Sequence, residues 1–100
     1  METKTKSKLK TKQELQMPKM YKVLMHNDDV TPMDFVVSLL SVIFRHSNNK
    51  AYALMIKIHT EGVAVCGVYP YEIAQTRTLQ AKAFAKSQSW PLNITMEVDQ

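Results

Sequence analysis

Between Met20 and Phe35 the spacing of apolar residues changes abruptly, and that change limits the folds open to the chain. Tyr21, Val23 and Met25 alternate with Met20, Lys22, Leu24 and His26, the period-two pattern of a strand with one apolar face and one mixed face. From Phe35 the period is helical: Phe35, Val36, Leu39, Leu40, Ile43 and Phe44 make one stripe. At the junction, Thr31 precedes Pro32 with Asp34 three residues on, which reads as an N-cap, a proline at the first helical position and an acidic capping partner for a helix over 32–45. Ser47-Asn48-Asn49 is a turn and second N-cap, and Ala51, Leu54, Met55 and Ile58 form the next stripe up to Gly62, a C-cap glycine. Val63 to Val68 is a β-branched, nearly all-apolar run that predicts a central strand. Tyr69-Pro70 opens a third helix over 70–88 through Ile73, Ala74, Ala81 and Phe84, and Trp90-Pro91 closes it. Leu92, Ile94 and Met96 then alternate as a half-exposed last strand. The expected fold is α+β: a small three-stranded antiparallel sheet packed with three helices, in the order β-α-α-β-α-β.

A chain of 100 residues suits one domain with a small core. The +4 charge invites a nucleic-acid reading until its location is considered. Lys4, Lys6, Lys8, Lys10 and Lys12 face only Glu2 in the first twelve residues; beyond them eight basic residues balance eight acidic ones. The folded part is therefore close to neutral, and a counterion-releasing face is not expected on it. Residues 1–17 have almost nothing to bury, so they are read as a flexible lysine-rich arm before a domain of residues 18–100. No apolar run reaches the roughly 18 residues of a membrane span, and no secretory signal is visible, so a cytosolic address is expected. The lone Cys66 allows no intrachain disulfide.

The residues offer little to catalysis. Cys66 lies in an apolar strand, where a small buried thiol is the simpler reading than a nucleophile paired with His59. No cysteine pair or histidine spacing suggests zinc, no glycine-rich loop suggests a phosphate cradle, and Asp28-Asp29 lacks further acidic ligands for a divalent cation. Neither metal nor cofactor is expected. A binding site fits better: Asn27 and Asp28 place an amide oxygen and a carboxylate at the mouth of a strand-to-helix turn, and with a neutral histidine nitrogen they form acceptors for an ammonium. The same triplet could equally do no more than shape the turn, and His59 alone is only a polar residue near a helix end.

The segments YKVLMHNDDVTPMDFVV (Tyr21 to Val37), ALMIKIHTEGVAVCGVY (Ala53 to Tyr69) and WPLNITME (Trp90 to Glu97), three separated motifs in order over residues 18–98, closely resemble ClpS, the adaptor that hands N-degron substrates to the bacterial Clp protease. The resemblance implies an adaptor without catalytic activity. It assigns the substrate's α-amino group to Asn27, Asp28 and His59, and the bulky first side chain to a pocket of Thr31, Met33, Val36, Met55, Ile58 and Leu92, with Asp29 shaping the loop and offering backbone contacts to the start of the peptide. Met33 falls on the family's gatekeeper position, which excludes β-branched Ile and Val. Ile58 stands where family members often carry the smaller Val, implying weaker Trp binding. A Glu and Lys pair on the third helix that meets the N-terminal domain of a Clp AAA+ unfoldase, of ClpA or ClpC type, falls on Glu72 and Arg77; arginine keeps the charge but changes its geometry, and Gln75 replaces an acidic residue. The resemblance also implies a monomer whose N-terminal arm helps transfer cargo. The rival reading is a small interaction module that uses its basic arm on nucleic acid or a ribosomal partner.

Overall fold

The computed structural model describes residues 19–100, so the arm expected at 1–17 lies outside the described residues. Six elements follow the expected order: β1 (Met20–His26), α1 (Met33–Val42), α2 (Asn48–Glu61), β2 (Val63–Pro70), α3 (Tyr71–Ser87) and β3 (Asn93–Val98). The sheet is antiparallel throughout, in the order β2-β1-β3. That order corrects the placement of Val63 to Val68: β1 is central and β2 is an edge strand. Ala64 and Cys66 of β2 are buried while Val63 and Val65 lie open, so its apolar outer face mimicked a strand covered on both sides. The edge also carries a bulge, since the register passes from Val23 opposite Gly67 to Leu24 opposite Val65 and leaves Cys66 out of step. The Cys66 carbonyl is hydrogen-bonded instead to His46 Nε2 at 2.5 Å, from the α1–α2 connection.

Val23 and Met25 of β1, fully buried, meet Ile94 of β3 beneath the helices, with Leu39, Leu40 and Phe44 of the α1 region and Ala51, Leu54, Met55 and Ile58 of α2 completing the core. Helix α3 packs through Ala74, Thr78, Ala81 and Ala85, small side chains that bring its backbone close to the sheet. Ile73, expected in that stripe, is 46% exposed, because it lies about 100° around the helix from Ala74 and the small residues claim the buried face.

The helix ends differ from expectation in ways that matter for the site. Helix α1 starts at Met33 with Pro32 as its N-cap and no side-chain cap, because the Thr31 hydroxyl points back to Asp28 rather than forward over the first turn. Its helical geometry ends at Ile43 rather than 45: Arg45 adopts a left-handed φ of 59° and the His46 N–H reaches Leu40 O at 3.2 Å. Arg77 Nη1 of α3 donates to Ile43 O at 2.8 Å and satisfies a carbonyl at that end. Helix α2 is capped as expected, with Ser47 Oγ accepting from Lys50 N and Gly62 at φ 90° closing the C-terminus. Helix α3 begins one residue later than expected, at Tyr71, with the strand running through Pro70.

Candidate functional site

One pocket of about 160 Å³ opens where the β1–α1 loop, the first turns of α1 and the last turns of α2 converge. It is lined by Asn27, Asp28, Asp29, Thr31, Met33, Val36, Met55, Ile58 and His59, all of which the sequence nominated. Val36, Met55 and Ile58 are buried and form the apolar interior, whereas Met33 is 44% exposed and stands at the mouth. Asn27, Asp28, Asp29 and His59 set polar groups on the rim. Leu92, 8% exposed, is packed in the same core cluster as Val36, Met55 and Ile58 but is not among the residues that line this cavity. The extended backbone before β3 alternates exposed Pro91 and Asn93 with buried Leu92 and Ile94, which keeps Leu92 on the core side.

The rim is held in place by local hydrogen bonds. Asn27 N donates to Gly62 O at 2.8 Å, tying the loop after β1 to the turn after α2, three residues beyond His59. That link depends on the left-handed turn at Gly62, a conformation glycine adopts at no steric cost. Asp28 organises the loop: Oδ1 accepts from Val30 N at 2.8 Å and Thr31 N at 2.7 Å, and Oδ2 accepts from the Thr31 hydroxyl at 2.7 Å. Partial burial of the carboxyl acts to raise its pKa, but the three donors together outweigh it and hold Asp28 below the ordinary carboxylate value. An ionised carboxylate offers about four acceptor sites, so an Asp28 engaged by three donors retains capacity for one more. This loop chemistry and a ligand-binding role are therefore compatible in one side chain.

Other candidates are separated from the pocket. Cys66 is buried in the core and burial pushes its thiol up to about 12, far from a reactive thiolate. Its hydrogen-bonded histidine neighbour is His46, through the backbone, while His59 is exposed at the pocket. Among the described residues no group of three or more His, Cys, Asp or Glu could hold a metal ion, and no helix is long and apolar enough to cross a membrane. Glu72 and Arg77 line a shallow groove on α3 together with Arg45, Ile73, Thr76 and Gln80, and part of the Arg77 guanidinium is engaged by Ile43 O. That capping bond is not legible from local spacing, because it joins residues 34 positions apart through a backbone atom.

Comparison with known proteins converges on one family. Residues 16–95 match the family described as ATP-dependent Clp protease adaptor protein ClpS. The chain is 45% identical over 91 residues to the ATP-dependent Clp protease adapter protein ClpS of Rhodospirillum centenum, an alignment covering 91% of this chain and 84% of that protein. It is also similar to the structure of Agrobacterium tumefaciens ClpS2 bound to L-phenylalaninamide, with 37% identity, a TM-score of 0.80, and coverage of 83% of this chain and 100% of that one. The fold, the motif order and these matches agree: the chain belongs to the ClpS family of adaptor proteins of the ATP-dependent Clp protease.

Proposed function

We propose that the chain binds the free α-amino group and the bulky hydrophobic first residue (Leu, Phe, Tyr or Trp) of N-degron substrates and delivers them to a Clp AAA+ unfoldase. The observation that carries this reading is the joining of Asn27, Asp28 and His59 at the rim of an apolar pocket. An ammonium has three donors; the Asn27 amide oxygen, the Asp28 carboxylate and a neutral His59 nitrogen supply three acceptors. Burying such a charge without partners costs several kcal/mol, so an acetylated terminus, which lacks both the charge and the donors, fails to engage the rim. The bound L-phenylalaninamide of the Agrobacterium relative carries such an ammonium beside a benzyl side chain, which supports the same chemistry here.

The pocket volume sets the scale of the side chain. A dry apolar cavity of about 150 Å³ accommodates benzene, and the 160 Å³ here is of that size. Full burial of a Leu or Phe side chain stabilises by about 1.5 to 3 kcal/mol. Together with the ammonium contacts this places affinity in the micromolar to high-nanomolar range, about 8 to 10 kcal/mol. Met33 at the mouth rejects Ile and Val, whose second branch at Cβ meets its side chain. Delivery is assigned to Glu72 and Arg77, on α3 and outside the pocket, which contact the N-terminal domain of a ClpA- or ClpC-type unfoldase.

Fluorescence anisotropy with peptides that differ only in the first residue (Leu, Phe, Tyr, Trp, Ile, Val and Arg), each with and without N-acetylation, tests the reading. Binding of the first four in the free form alone is expected; equal binding of free and acetylated forms overturns it.

A further inference from the structure

Helix α2 carries its exposed apolar bulk on one flank. At 100° per residue, Met55, His59, Tyr52 and Ile56 follow one another around the helix beside the buried stripe, while Lys50, Lys57 and Glu61 fall on the opposite flank. Tyr52 is 58% exposed and Ile56 39%, although Met55 and His59 on the same flank line the pocket. Tyr52 precedes His59 by two turns, about 10 Å of helix rise. The short α1–α2 connection sets the two helices side by side and antiparallel, so the seam between them leads from the pocket toward Tyr52, with Met33 and Val37 of α1 along its other side.

We propose that Tyr52 and Ile56 form a second subsite, which takes the third and fourth residues of the degron segment and favours apolar or aromatic side chains there. The inference rests on the reading of the pocket as an N-degron site. The first residue's amino group is held at the C-terminal end of α2 by Asn27, Asp28 and His59, and its side chain descends between Met33 and Met55. In the proposed subsite the chain then continues along the seam toward the N-terminal end of α2. An extended chain advances about 3.3 Å per residue, so the 10 Å to Tyr52 is crossed in about three residues. A tyrosine at that distance offers a large, stiff contact surface at small entropic cost, and the uncharged flank suits apolar side chains.

The test is calorimetric titration of wild type and Tyr52→Ala with L-phenylalaninamide and with the peptides Phe-Ala-Gly-Gly and Phe-Ala-Leu-Phe. Wild type should bind the apolar peptide about 3- to 10-fold more tightly than the glycine peptide, the gain from partly burying one or two apolar side chains. Tyr52→Ala should remove that difference and leave phenylalaninamide binding unchanged. Equal affinity of wild type for the two peptides, or a uniform loss across all three ligands in Tyr52→Ala, overturns the subsite while phenylalaninamide binding preserves the parent reading. Failure of wild type to bind phenylalaninamide removes both.

Discussion

Asp28 serves two tasks with one carboxylate: it closes the loop through Val30 and Thr31, and in the proposed function it faces the substrate ammonium. The two tasks are separable by substitution. Asp28→Asn retains an oxygen for the backbone N–H groups but loses the charge. Free-terminus binding should fall at least tenfold by anisotropy, about 1.4 kcal/mol, with the neutral-pH melting temperature lowered only by the lost contribution of the charge. Asp28→Ala should lose both, with a further stability cost of about 1 kcal/mol from the orphaned loop donors. The pH dependence follows in sign from the lowered Asp28 pKa. Its contribution to stability is fully present above the unfolded-state carboxylate value and is lost as pH falls through the lower folded value, visible as an acid shoulder in thermal unfolding that is missing from Asp28→Asn. Ile58, buried in the pocket wall, makes a prediction of size. Trp should bind more weakly than Phe or Leu, and Ile58→Val should selectively improve Trp; equal affinities in wild type would remove the idea. At this scale the sequence was informative because the loop residues are contiguous and lie beside a change of period. Leu92 was harder to place, because a strand's alternation states which residues share a face, not which part of the apolar interior that face meets.

Among the elements, the turn after α2 has the largest leverage on the site. Gly62 at φ 90° places its carbonyl against Asn27 N, so one backbone bond aligns the histidine-bearing helix with the loop. No atom lies within 4 Å of a Cβ built at Gly62, so the penalty of Gly62→Ala is backbone strain alone. Left-handed alanine costs about 1 kcal/mol or more, a drop of roughly 4 to 8 °C for a domain of this size. Differential scanning calorimetry should show it, with a milder loss in Gly62→Asn. Helices, strand order along the chain and the α2 caps were legible because each rests on local spacing or local hydrogen bonding. The edge position of β2 was not, since it depends on which strands pair across the chain, and the alternation of Val63, Ala64, Val65 and Cys66 is masked when every residue is apolar. The early end of α1 was hidden for a related reason: Arg45 adopts a left-handed angle that its side chain does not announce, while the distant Arg77 satisfies the free carbonyl of Ile43.

Viewed as a whole molecule, the helices pack against the sheet, and the pocket and the α3 groove are lined by different residues of one small frame. In the proposed function, substrate capture and unfoldase contact can then proceed together. Residues 1–17 lie outside the described residues and have no part in the proposed pocket. A chain beginning at Pro18 should bind Phe-initiated peptides as tightly as the full chain while supporting slower degradation in a reconstituted unfoldase–protease assay; loss of both would attach those residues to the site. Salt discriminates the rival reading in the same preparation, since pocket recognition should survive moderate ionic strength whereas lysine-driven binding to a polyanion should collapse. The order of motifs made the family legible across most of the chain, yet the pocket's volume and the capping of α1 by α3 emerge only when distant segments meet. The most direct test of the central claim is calorimetric titration of the full chain with L-phenylalaninamide and with its N-acetyl derivative. Saturable binding of the first and none of the second at matched concentrations is expected; comparable binding of the two would overturn amine recognition by the pocket.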